Sequence, residues 1–254
     1  MLTELRLGEF EWWGSEQVLR LAPLTLFFGP NGAGKSALLR AVCDKAAAAE
    51  PPLFARQLRR WNRELEEILG HWVTAMGVVD DISFLRSEED ANVYALRVKA
   101  KGSETHIPAG RAGAGARCAL LVLVQAFRRT MKVPVHLDHP ESYLQPAAQS
   151  ALGDALLAAV SARGTQLLVE THSDRLLRRI QRRIAEGRAD KDQVAVYFIA
   201  GRDGASQIQE LAIDDDGSIV NWPREFFGDP GDDLAAIAAA AAQRSVTCPS
   251  AAAE

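Results

Sequence analysis

Cysteine is scarce, and the three residues Cys43, Cys118 and Cys248 stand far apart in the chain. None shares the close spacing that reads as a zinc or dithiol pair, so redox and zinc-knuckle chemistry are excluded and reduced thiols are expected. Long apolar runs are missing as well: none approaches the roughly 20 residues that span a bilayer. Met1 opens no basic stretch followed by an apolar core but leads straight into the alternation Leu2, Leu5, Leu7, so no secretion signal is expected and the cytoplasm is the expected compartment. Charge of one sign is lacking too. A formal net charge of −4 gives no general drive towards nucleic acid, although a local basic face can still supply one. Sustained heptads are absent, which excludes a coiled-coil arm.

What is present is enough apolar material, 48% of 254 residues, for the core of one large α/β domain. Leu2 to Leu7, Gln17 to Leu21 and Leu24 to Phe28 read as strands, the last a continuous apolar run suited to a covered sheet. Helical spacing follows from Lys35 to Lys45, then an arginine-rich helix from about Leu53 to Leu69, and a meander through Ile82 to Leu85 and Val93 to Lys99 ending near Pro108. A glycine-alanine loop, Ala109 to Gly115, precedes an apolar helix from Cys118 to Phe127. Strands at Val133 to Leu137 and Gln166 to Val169 alternate with helices at Ala147 to Ala162 and Asp174 to Glu186. A hairpin, Val194 to Ile199 with Ile208 to Ile213, completes the body. Alternating strands and helices imply parallel pairing through right-handed crossovers. The expected organisation is a single domain over residues 1–233, with a helical subregion at about 53–131, and an alanine-rich helix with a loose tail at 234–254.

Between the strand at Leu24 and the helix at Lys35 lies Gly29-Pro30-Asn31-Gly32-Ala33-Gly34-Lys35-Ser36, a complete phosphate-binding loop. Its glycines let the backbone turn amide hydrogens inward, so that several N–H groups and a helix N-terminus converge on phosphate oxygens. Lys35 then reaches the β and γ phosphates, and the Ser36 hydroxyl is placed to ligate magnesium. ATP is the expected ligand, with Mg2+.

A nucleotide-hydrolysing protein of this kind needs a carboxylate at the end of another strand to hold the magnesium from the far side. Val133-Pro134-Val135-His136-Leu137-Asp138 delivers Asp138 at the carboxyl end of an apolar strand, where ligands bind in open α/β sheets. His139, Pro140 and Glu141 follow. The third core strand ends in Glu170-Thr171-His172-Ser173-Asp174, which puts His172 just before a helix cap, within reach of a γ-phosphate or its attacking water.

In this order of motifs the sequence resembles the ABC-type ATPase heads that include SMC-like proteins and the OLD-like bacterial ATPases, over about Met1 to Gly228. The family order is phosphate loop, signature loop opening a helix, magnesium-carboxylate strand, histidine switch; here these fall on Gly29 to Ser36, Ala112 to Arg117, Val133 to Glu141, and His172. Trp222-Pro223-Arg224-Glu225-Phe226-Phe227-Gly228-Asp229 is also similar to the end of one OLD-like subgroup, frequent in bacterial operons of defence type. The resemblance implies an α/β fold of P-loop ABC-ATPase-head type, a mixed sheet with a parallel core and N-terminal antiparallel strands. It implies a homodimer, head to tail, sandwiching two ATP molecules. Nucleotide contacts are implied at Gly29, Pro30, Asn31, Gly32, Ala33, Gly34, Lys35, Ser36 and Ala37, and across the dimer at Gly113, Gly115 and Arg117. Ser36 and Asp138 are the implied metal ligands, and Asp138, His139, Glu141 and His172 the implied catalytic set.

Three departures stand out. Arg117 occupies the signature position that normally carries serine, where it is either a cationic finger gripping phosphate or a solvated helix-start residue. His139 stands where the family has the glutamate that orients the attacking water; the imidazole, Glu141 or Glu170 would have to take over, and slow turnover is expected. Only about eighty residues separate Ser36 from the signature loop, too few for the usual long insertion. The expectation is therefore a minimal ATPase head, a nucleotide-gated switch that regulates a separate effector, a nuclease or toxin of an anti-phage defence module. A non-catalytic assembly protein and a DNA-repair ATPase are the alternatives. Arg56, Arg59, Arg60 and Arg63, and Arg175, Arg178, Arg179, Arg182 and Arg183, form two basic stripes, read as solvated faces balanced by glutamates or as contacts for DNA, RNA or an acidic partner. Gln57 is a candidate magnesium contact, and Trp12 and Trp13 are candidates for stacking on adenine or for plain packing.

Overall fold

The computed structural model describes residues 1–9, 17–47, 63–86, 94–127, 133–202 and 205–223. Trp12, Trp13, Arg56, Gln57, Arg59, Arg60, the residues after Pro223 and the alanine-rich stretch from 234 lie outside them. Met1–Asn221 forms one compact unit and Trp222–Glu254 a second, of which Trp222 and Pro223 are described. All the elements named below belong to the first.

Strands β1 (Glu4–Arg6) and β2 (Val18–Arg20) pair antiparallel, each exposing alternate residues and burying Leu5 and Leu19. The continuous apolar run becomes β3 (Leu24–Phe28), with every residue buried. Helix α1 (Lys35–Ala47) follows the glycine loop and turns Leu38, Leu39 and Val42 inward. With Leu5, Leu19, Phe27 and Tyr197 these make one core cluster. Tyr197 stacks on Phe27 at 5.7 Å and donates its hydroxyl to Arg20 O at 2.7 Å, satisfying the one polar atom its burial brings inside.

Helix α2 (Arg63–Ala75) buries Leu69 and Val73 and leads to a three-stranded antiparallel sheet of β4 (Asp81–Arg86), β5 (Tyr94–Lys99) and β6 (His106–Pro108). The sequence places the next helix at Cys118, but α3 (Ala114–Ala126) begins four residues earlier. Ala114 to Ala116 show no apolar periodicity, yet alanine is the best helix former, and the glycine-alanine loop supplies the first turn. Strand β7 (Val135–Asp138), helix α4 (Pro146–Arg163), strand β8 (Leu167–Glu170), helix α5 (Asp174–Ala185) and the hairpin β9 (Val194–Arg202) and β10 (Ala205–Glu210) complete the unit. Leu152, Leu156, Leu176, Leu177 and Ile180 of α4 and α5 are fully buried, each stabilising the fold by about 1.5–3 kcal/mol.

The main sheet has the order β10-β9-β3-β8-β7. β3 runs parallel to both β8 and β9, β7 runs parallel to β8, and only β10 is antiparallel. This is the expected mixed sheet with a parallel core and separate N-terminal antiparallel strands. Its topology adds one point that no motif reveals: β8 lies between the phosphate-loop strand and the strand that ends in Asp138. The acidic residue beside the phosphate loop is thus Glu170. Among the described residues no helix is long and apolar enough to cross a membrane.

Candidate functional site

The carboxyl ends of β3, β8 and β7 converge on one site. Gly29, Gly32 and Gly34 have φ values of 142°, 80° and 91°, a sequence of left-handed residues that turns the loop's amides to one side. Gly29 is also squeezed: a Cβ there would sit 1.9 Å from Ile199 O of β9. Ser206 of β10 donates to Ala33 O at 2.8 Å, fastening the loop from the sheet edge. Lys35 is almost wholly buried, and its ammonium donates to Gly29 O (3.0 Å) and Pro30 O (2.9 Å) with Glu170 Oε1 at 3.5 Å. Ser36 is half-buried in the first turn of α1, and Ala37 and Asn31 are exposed.

Parallel register sets Asp138 opposite Glu170. His139 takes φ 45°, a left-handed conformation uncommon outside glycine and asparagine, and its backbone N–H donates to Glu170 O at 2.9 Å. The turn brings the imidazole back over Asp138, where Nδ1–H donates to Oδ1 at 2.6 Å. That bond fixes the tautomer and leaves the Nε2 lone pair free for a proton or a cation. The His139 and His172 rings lie 4.7 Å apart, and His172 Nε2–H donates to Asn31 Oδ1 of the phosphate loop at 3.1 Å. Burial, followed by the neighbouring Lys35 ammonium and the adjacent His139, holds the His172 pKa below the usual imidazole value.

Glu141 is buried at 8% exposure and accepts the His172 backbone N–H on Oε1 at 2.8 Å, tying the ends of β7 and β8 together. Its other oxygen has no partner, and the same holds for Glu170 Oε2 and His136 Nε2. Leaving such a group unsatisfied costs about 1–3 kcal/mol. Ser173 caps α5 by accepting from Leu176 N at 3.1 Å and donates to Gln149 Oε1 at 2.7 Å, which fixes where His172 emerges.

Gly113, Gly115 and Arg117 meet different neighbours. Gly113 is the N-cap of α3, and a Cβ on Gly115 would lie 2.9 Å from Tyr143 O, so the helix start packs on the loop after β7. Tyr143 has φ 66° and is 78% exposed. Cys118, one residue after Arg117, approaches Pro140 O at 3.8 Å, and burial raises its thiol pKa, with Glu141 adding to the effect. Arg117 is exposed and makes no ion pair among the described residues. Asn31, Ser206 and Gln149 enter the site by tertiary contacts for which the sequence carries no motif of its own, except that Asn31 sits inside the loop.

The basic stripe of α5 is partnered rather than bare. Arg179 and Arg183 grip Asp154 of α4 at 2.7 and 2.6 Å, Arg182 and Arg183 hold Glu186, and Arg175 and Arg178 lie near Asp174. Arg63 pairs with Glu67 at 3.2 Å.

Solved structures place this architecture. An SMC head domain from Thermotoga maritima matches with a TM-score of 0.55 at 14% identity, over 84% of this chain and 99% of that one. The fold is that of an ABC-type ATPase head. An SMC head bound to the C-terminal winged-helix domain of ScpA matches at a TM-score of 0.54 and 12% identity, over 82% and 96% of the two chains. The chain spans 34% of an SMC head with an extended coiled coil from Pyrococcus furiosus, at 14% identity and a TM-score of 0.43 over 58% of this chain. The family described as Protein of unknown function (DUF3696) matches residues 190–237, which include β9 and β10. No curated protein matches the chain.

Proposed function

We propose that this protein binds ATP across the ends of β3, β8 and β7, hydrolyses it slowly, and pairs head to tail with a second copy around the nucleotide. The observation that carries the reading is the loop 29–36, a glycine nest fastened by β9 and β10, with a buried ammonium at its base. Three left-handed glycines and the N-terminus of α1 aim partial positive charge at one point, the arrangement a triphosphate tail fills. Lys35, now held by the loop's own carbonyls, would exchange them for β and γ phosphate oxygens.

Ser36 and Asp138 would hold Mg2+ through the oxygen donors that suit it, and the ion would supply neutralisation of the phosphate charge. His172, tied to Asn31, links the end of β8 to the phosphate loop and is the residue through which occupation of the loop reaches α5. His139 presents a free Nε2 where the resemblance expects a carboxylate; a weaker, imidazole-based activation of water accounts for slow turnover. In the pair, the exposed start of α3 with Arg117 would face the phosphates held by the other copy, a helix N-terminus and a guanidinium meeting an anion. The pair would act through a separate effector, a nuclease or toxin of a defence module. The fastening of His139 to Asp138 favours one further reading, in which ATP is a structural ligand and no turnover occurs.

Calorimetry with Mg-ATP tests the core of the proposal: saturable heat is expected from the wild type and none from Lys35→Ala. Size determination with ATP, ADP and no nucleotide tests pairing, with the dimer expected only in ATP. An absence of phosphate release alongside tight binding would leave the structural-ligand reading.

A further inference from the structure

The phosphate loop is held at both ends by the two strands of one hairpin. Gly29 is pressed against Ile199 O of β9, and Ser206 of β10 donates to Ala33 O at 2.8 Å. Ser206 lies opposite Gly201 in the register that sets Ile208 opposite Ile199, so one pairing fixes both contacts. Side chains two residues apart on a strand share a face, and Ile208 is buried in the same core cluster as Ala33, Leu38 and Leu39. The packing of Ile208 thus carries the Ser206 hydroxyl to the loop.

That hydroxyl acts on one peptide group. The Ala33 methyl is fixed in the core and the Ala33 N–H donates to Pro30 O at 3.3 Å, yet neither restrains the Ala33 carbonyl, which turns about ψ of Ala33 and φ of Gly34. Gly34 stands at φ 91° and lacks a Cβ, so the peptide between the two residues can turn over against little steric resistance. A planar trans peptide points its C=O and its N–H in opposite directions. With the carbonyl held at the sheet edge, the Gly34 N–H is aimed away from β10 and, among the described residues, donates to no backbone carbonyl. It lies beside the first-turn amides of α1, which a helix start leaves unpaired.

We infer that Ser206 is a positioning residue for the anion nest: its bond to Ala33 O orients the Gly34 amide towards the phosphate oxygens of a bound triphosphate. Without the hydroxyl the peptide also populates the reversed orientation, in which a carbonyl dipole faces the anion and repels it. This role rests on the proposed nucleotide site and extends it to the β9–β10 hairpin, a stretch of chain with no phosphate-binding motif of its own.

Calorimetry of the full chain with Mg-ATP and, separately, with inorganic tripolyphosphate tests this. Ser206→Val should weaken both ligands by about tenfold, the worth of one hydrogen bond, while Ser206→Thr, which has the shape of valine but keeps the hydroxyl, should stay within about twofold of the wild type. In ligand-free nitrogen-15 NMR spectra the Gly34 amide should shift in Ser206→Val and hold its place in Ser206→Thr, a signature that general loosening of the fold would not produce. Wild-type affinity in Ser206→Val, equal losses in the Val and Thr variants, or a loss for ATP that tripolyphosphate does not share would each overturn the role of Ser206 and leave the nucleotide site standing. No heat from the wild type with either ligand would remove the site and this role together. Should Ser206→Val unfold, as judged by circular dichroism, Ser206→Ala takes its place with the same expected losses.

Discussion

The phosphate loop and the carboxylate edge stand side by side at one end of the same sheet, yet they are built by opposite means. The loop works mainly through backbone: glycines in left-handed conformation, amides, and a helix terminus, with Lys35, Ser36 and Asn31 as its functional side chains. The edge works through side chains: Asp138, His139, Glu141, Glu170 and His172, linked by hydrogen bonds across three strand ends. Backbone function constrains sequence tightly, since only glycine tolerates φ 142° pressed against a carbonyl. Side-chain function tolerates exchange of one donor for another, and that is where the proposed site carries an imidazole instead of the carboxylate that the resemblance implies.

The largest break in this comparison should come from Gly29→Ala. The added methyl collides with Ile199 O in a disallowed conformation, and a loss of about 3 kcal/mol or more is expected in denaturant unfolding. Gly32→Ala faces open space and pays backbone strain alone, about 1–2 kcal/mol. Equal costs at both positions would refute the packing account of Gly29.

The buried Lys35–Glu170 pair joins the two regions. Lys35→Met strands a buried carboxylate and should cost about 3 kcal/mol, whereas Lys35→Met with Glu170→Met should recover most of it. A double variant as unstable as the sum of the singles would show that the two residues act independently.

His139→Glu sharpens the comparison from the other side. A carboxylate at this proposed water-orienting position should raise steady-state phosphate release about tenfold or more, a barrier change of about 1.4 kcal/mol. Unchanged or lower release would show that His139 does not limit the proposed turnover.

The smallest effect lies beneath the phosphate loop. Burial, reinforced by Glu210, pushes the Tyr197 pKa up to about 12. In the unfolded chain the phenol ionises near its ordinary value of about 10, so the contribution is whole below that pH and drains away as pH rises towards 12. Ultraviolet titration of the native protein should show one tyrosine that resists ionisation until about pH 12. Joint ionisation near pH 10 would mean that the strand core under the loop opens readily.

Much of the fold was legible because its signals are local. Four apolar residues around Thr25 before a glycine loop specify a covered strand, and Ser173 followed by Asp174 specifies a helix start. The start of α3 was misplaced since alanine and glycine carry no periodicity, only propensity. Strand order was not legible at all: chain order places the Asp138 strand before the Glu170 strand, and nothing local says which lies against β3. Nor do the sequence signals place Glu141 under the His172 backbone or fold His139 back onto Asp138.

By itself, the sequence determined the backbone machinery: the phosphate loop between strand and helix, the alternation that yields a parallel core, and the carboxylate and histidine at strand ends. These follow from spacing along the chain, and short-range sterics enforce them. Tertiary structure alone decided that Glu170 sits between the loop and Asp138, that Lys35 is buried against it, and that Arg179 and Arg183 spend their charge on Asp154. Those outcomes depend on which strands and helices become neighbours, and pairing across a sheet is set by the burial of whole surfaces, which no single stretch of residues encodes.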